Sequence, residues 1–307
     1  MSAYLTTILI LVCEAALVGL ALNLQWGLAG LVNFGVVGFV AIGAYVTALL
    51  APETGWLGGM LVAAVLCGLL SMALAVLSVR LEENYLAIVT IGFGEIVRLV
   101  ILNEDWLTQG ALGISGIARP FATAIAWLGE GVFLMFALGL VALVYLLLEL
   151  VFRAPFGRAL RAIRDDATVV SSLGKNVFSL RLRAFVIGGA VMGLAGALHA
   201  FYLTYIDPSQ FTPIVTAYAF MAVIAGGRGS NLGLILGAGS IMLVLEGTRF
   251  LKDLIPALDG AQLAALRLGM IGLGIILLLI LRPNGLVAEP RRRAGDFFPD
   301  EAGERGR

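Results

Sequence analysis

Apolar runs about twenty residues long, the length of one bilayer crossing, recur along this chain and leave it few ways to fold. Residues 5–24, 56–79, 131–152, 184–204 and 263–281 each read as a membrane span. Residues 84–103 form a weaker span, and 214–225 and 232–246 are shorter apolar segments. The 307 residues are 60% hydrophobic and 13% charged, whereas a soluble domain carries about 25% charged residues. The expected fold is an all-α integral membrane protein, a polytopic bundle of about 8–10 transmembrane helices.

One basic island interrupts the oil. Residues 153–183 hold Arg153, Arg158, Arg161, Arg164, Lys175, Arg181 and Arg183 against only Asp165 and Asp166. Such an excess of positive charge between spans faces the cytoplasm. Counting backwards, five apolar segments put the N-terminus outside, unless 27–50 is broken or re-entrant; counting forwards, four put the C-terminus inside. The tail 291–307, with Arg291, Arg292 and Arg293, is then a polar cytoplasmic extension of a single transmembrane domain over 1–290. Zero net charge, with basic clusters explained by topology, argues against nucleic-acid binding.

The island has its own periodicity. Pro155 and Gly157 mark a helix start, and Leu160, Ile163, Ala167, Val170 and Leu173 recur at three- and four-residue steps. Arg158, Arg161, Asp165 and Ser172 fall opposite, with Arg161 and Asp165 one turn apart, and Gly174 is a natural stop. Asp165 or Asp166 would also cap a second short helix, so the pattern allows one helix or two. Its charged face reads either as a loop that sets topology and meets anionic lipid headgroups, or as a docking surface for a soluble partner.

Within the spans, glycine and buried polarity stand out. Gly27, Gly30, Gly35, Gly38 and Gly43 are too dense for a plain lipid-facing helix and predict close packing or a local break. Gly189, Gly193 and Gly196 form a second packing stripe. Glu14 sits mid-span and should face protein or water. Glu95 and Arg98 share a helix face, as a structural ion pair or as a substrate contact. His199, the one histidine, has no second ligand beside it in sequence and reads as a packed residue; Cys13 and Cys67 suggest neither disulfide nor metal site. The GGRGS run at 226–230 lacks the Gly-Lys-Ser/Thr of a phosphate loop and reads as a tight cytoplasmic hairpin. No metal, cofactor or catalytic constellation is expected.

Six pieces in order carry a family resemblance: NLQWGLAGLVNFG, YLAIVTIGFGEIVR, LTQGALGISGI, FGRALRAIRDDATVVSSLGKNVFSLRLR, VIAGGRGSNLGLILGA and LRPNGLV. Together they resemble the M-type permease subunits of branched-chain amino-acid ABC importers, over most of residues 20–287. The resemblance implies a non-enzymatic transporter subunit of a bacterial inner membrane. Its implied partners are a second homologous permease, two ATP-binding cassette subunits, an external solute-binding protein and the membrane lipid. Arg158, Arg161, Arg164, Asp165, Asp166 and Gly174 match the family segment thought to seat in the ATPase groove, making the island a cytoplasmic coupling helix. Asn33, Thr90 and Glu95 are the candidates for the substrate pathway. The same family includes permeases for urea and short amides. An ion-coupled secondary transporter using Glu14, Glu95 and Glu246 is the alternative outside it.

Overall fold

The computed structural model describes residues 2–78, 83–121, 130–254, 260–282 and 285–289; the expected tail 291–307 lies outside them. Helix α1 (Ser2–Leu22) runs into a π-helical turn (Asn23–Leu28), and residues 29–35 are non-helical. Then come α2 (Val36–Ser78), α3 (Glu83–Asn103), a short α4 (Asp105–Thr108), β1 (Ile114–Ser115) and α5 (Glu130–Arg153). The basic island forms α6 (Pro155–Asp165) and α7 (Ala167–Ser172). After it follow α8 (Val177–Leu203), β2 (Tyr205–Ile206), α9 (Pro213–Gly226), α10 (Asn231–Leu254) and α11 (Gly260–Leu281).

Six helical segments are long and apolar enough to cross a membrane, and Asn231–Gly247 and Leu268–Leu281 are shorter apolar ones. Helix α2, one of the six, is long enough to cross twice. Its 43 residues would measure about 65 Å at ~1.5 Å per residue, some twice the ~30 Å hydrocarbon core. Gly55, with φ 76° and ψ 165°, breaks the rod next to Pro52. The two halves fold back on each other, so that Cys67 Sγ lies 3.3 Å from the carbonyl oxygen of Phe39. The polytopic all-α bundle expected from the apolar runs is therefore what the chain forms.

The α2 hairpin cradles α8 through glycine. A Cβ on Gly193 would stand 2.7 Å from Ala63 O and 2.9 Å from Cys67 Cβ, and one on Gly43 would overlap the Gly193 backbone. Gly189 and Gly196 meet Ser71 and the Val40–Ala44 turn in the same way. Only hydrogen side chains let the backbones approach this far, which is the packing such stripes predict. The result puts α8 at the centre: 72% of its apolar window is buried, against 22% for the peripheral α3.

The two ends of the bundle differ. At one, β1 pairs antiparallel with β2, Ile114 opposite Ile206, and Arg119 donates to Tyr202 O at 2.8 Å. At the other lie α6, α7, the α9–α10 turn and the segment 285–289. Helix α1 and its π-helical turn run between the two ends, from Tyr4, whose hydroxyl donates to Glu246 O at 3.1 Å, to Gly27, whose carbonyl meets Arg164 at the basic end. The GGRGS run forms the expected turn between α9 and α10.

Candidate functional site

The island folds as two helices because Asp166 ends one and starts the other. Its backbone is extended (φ −158°, ψ 105°), and its Oδ1 accepts from Thr168 N at 2.8 Å and Val169 N at 3.1 Å. This is an N-cap, which satisfies donors that the first turn of α7 would leave unpaired. Gly174, in the left-handed region at φ 76°, closes α7. Gly174 N donates to Ser171 O at 3.0 Å and Lys175 N to Val170 O at 3.3 Å, a Schellman pair.

Helix α6 buries the face that its spacing predicts. Leu160 and Ile163 are 0% and 1% exposed and anchor it beneath the bundle; Val170 of α7 is buried too. Leu173 departs from the expected stripe and is 73% exposed: it follows the last residue of α7, where the chain turns away into Gly174. Beside it Val169, Gly174, Asp165, Asp166 and Arg158 also face out. The exposed rim thus mixes both charges with two apolar side chains.

Arg161 and Arg164 do not belong to that rim. Their side chains keep only 27% and 19% of their surface. Arg164 donates through one terminal nitrogen to Gly27 O and through the other to Glu289 Oε2 at 2.9 Å. Arg161 Nε lies 2.9 Å from Glu289 Oε1, an ion pair by distance although not aligned as a hydrogen bond. Asp165, expected one turn from Arg161, instead approaches Arg164 at 3.4 Å. A cleft of about 770 Å³ opens beside these groups, with Glu149, Arg153, Arg158 and Asn231 in its wall.

From that cleft a polar chain enters the bundle. Arg153 Nε donates to Glu149 at 2.9 Å, whose second oxygen accepts from Asn231 Nδ2 at 3.1 Å. Asn231 Oδ1 accepts from Asn23 Nδ2 at 3.1 Å, and Asn23 Oδ1 from Gly229 N at 2.9 Å. Four segments of the fold (α5, α10, the π-helical turn and the α9–α10 turn) are joined by side-chain amides and one carboxylate.

The non-helical stretch 29–35 brings two of the three pathway candidates together. Asn33 donates to Gln25 Oε1 at 2.8 Å and accepts from Gly35 N at 2.9 Å, while Gln25 donates to Phe185 O at 3.0 Å. Thr90 of α3 accepts from Phe34 N at 3.0 Å, and both Asn33 and Thr90 are fully buried. Unpaired backbone inside a membrane needs such partners. Glu95 stands elsewhere. Five positions beyond Thr90 it is turned roughly 140° around α3, half exposed, and its two oxygens hold Arg98 Nε at 3.2 and 3.1 Å.

His199 is more than a packed residue. Its Nδ1 lies 2.9 Å from Glu14 Oε1 and its Nε2 3.0 Å from Gln210 Oε1, tying α1 and α8 to the turn at Pro208–Gln210. Glu14 thus faces protein, as its cost in lipid required. The signal available was chemical: a carboxylate and the one histidine, each placed inside a span.

Multiple helices long and apolar enough to cross a membrane, with a helical pair docked at one end of the bundle, define a polytopic membrane protein. The family described as branched-chain amino acid transport system / permease component matches residues 4–281, and the chain belongs to it. It is 37% identical over 302 residues to the high-affinity branched-chain amino acid transport system permease protein LivM of Salmonella typhimurium, covering 90% of this chain and 68% of the relative. It is 29% identical to a probable LivM of Methanocaldococcus jannaschii, covering 89% and 90%. It is 26% identical to the LivH permease of Escherichia coli, covering 90% and 91%. No solved structure matches the chain.

Proposed function

We propose that this chain is the transmembrane permease subunit of an ATP-driven ABC importer of branched-chain amino acids in the cytoplasmic (inner) membrane. Residues 1–290 act as one permease domain, paired with a second homologous permease and fed by an external solute-binding protein. Two ATP-binding cassette subunits hydrolyse the ATP. The observation that carries this reading is the α6–α7 rim: a surface of Arg158, Asp165, Asp166, Val169 and Leu173 held rigidly by Leu160 and Ile163 below it. A self-contained carrier has no use for a docking surface of this kind. Gly174 lets α7 end within the rim, and Arg161 and Arg164 serve from behind it by tying it to the bundle.

The substrate pathway runs beside the break at 29–35, with Asn33 and Thr90 in its wall. Both are covered in this conformation, so alternating access must part α3 from the break to reach them. Glu95, paired with Arg98 on another face of α3, is left out of the pathway. The reading is tested by purifying the chain from its native membrane in mild detergent and identifying what accompanies it by mass spectrometry. Two ATP-binding subunits and a second permease are expected; recovery alone or only with copies of itself contradicts the proposal.

A further inference from the structure

The segment after α11 is stitched to the α9–α10 turn. Leu286 N donates to Ala225 O at 2.9 Å and Val287 N to Gly226 O at 3.0 Å. Gly285, at φ 77°, approaches Gly227 so closely that a Cβ would overlap its backbone. This seam carries Glu289 over Gly229, where a Cβ would stand 2.7 Å from the Glu289 carboxyl carbon. There the carboxylate, with 16% of its side-chain surface exposed, offers one oxygen to Arg161 and the other to Arg164.

One side chain thereby joins α6 to the 285–289 segment and, through the seam, to the ends of α9 and α10. Arg164 extends the link to Gly27, at the end of α1. Both guanidiniums converge on one carboxylate from the same helix, one turn apart, which resists rotation as well as separation. We propose that Glu289 is a positioning residue, a latch that makes α6 and the α9–α10 turn move together when a cytoplasmic partner displaces α6. This rests on the reading of α6–α7 as the ATPase docking surface. Without the latch, α6 would still present its rim, but its motion would be absorbed locally. Removing the carboxylate also takes the Glu289 partner from two partly buried cations and leaves Arg164 only the 3.4 Å approach of Asp165.

The test uses the complete complex, with its partner permease, ATP-binding subunits and solute-binding protein, reconstituted in vesicles. Leucine uptake and ATP hydrolysis are measured together for the wild type, Glu289→Gln and Glu289→Asp. The expected result is a fall of about threefold or more in leucine taken up per ATP for Glu289→Gln, with most of the ratio restored by Glu289→Asp. A spin label on Ala288→Cys, with Cys13 and Cys67 both buried, reports the strap itself. Its spectrum should sharpen on the Glu289→Gln background, in the complex and in this chain alone. An immobile label in that variant overturns the latch; a mobile label with an unchanged uptake ratio overturns its role in coupling. Wild-type uptake indifferent to ATP would instead sink the importer reading and the coupling role with it, while the label still decides whether the latch exists.

Discussion

Asn33 spends its amide on two buried partners, Gln25 Oε1 and Gly35 N, and shows no surface to solvent or lipid. Asn33→Ala should therefore cost about 2 kcal/mol by leaving both unsatisfied, read as a lower unfolding temperature in detergent. An unchanged temperature would mean that the break holds itself open without the side chain. Among the basic residues of the island, Arg158 gives the cleanest probe of docking. It is exposed, and its side chain donates to Arg153 O at 3.2 Å. Arg158→Glu should lower recovery of the ATP-binding subunits while leaving the purified chain as stable as wild type. Arg161 and Arg164 cannot separate the two effects, since reversing either charge also breaks the contact with Glu289.

At the scale of elements, the short α7 depends on its ends. Asp166→Ala removes the cap on two backbone donors and should cost about 1 kcal/mol, seen as faster amide exchange over 167–172 and no change in α6. The α2–α8 seam should tolerate far less. Gly193→Leu drives a side chain into Ala63 O and the Cys67 side chain, so the yield of folded protein should collapse. A well-expressed, active variant would contradict the packing described for α8. Much of this level was legible in the sequence. The island's three- and four-residue steps predicted the buried Leu160 and Ile163, and Gly174 its stop, because both signals are local. Leu173 was misplaced because a helical wheel continued to the glycine does not register that α7 ends at Ser172.

For the whole molecule, apolar runs were enough to predict a polytopic helical bundle, and the basic island a helical segment between two spans. They did not reveal the long-range ties. Arg164 and Glu289 are 125 positions apart, and His199 and Glu14 are 185 apart; periodicity within a span says nothing about which distant group completes a pair. Those ties also bear on mechanism. Glu14 is held by His199 and Glu95 by Arg98, on different helices and with separate partners, and the third carboxylate of the ion-coupled alternative, Glu246, is buried in α10. The most direct test of the central claim is leucine uptake into vesicles holding the full complex, with ATP supplied and all ion gradients collapsed. Uptake that persists under those conditions and stops when ATP hydrolysis is blocked is the predicted result. Uptake that follows an imposed proton or sodium gradient without ATP would contradict the account.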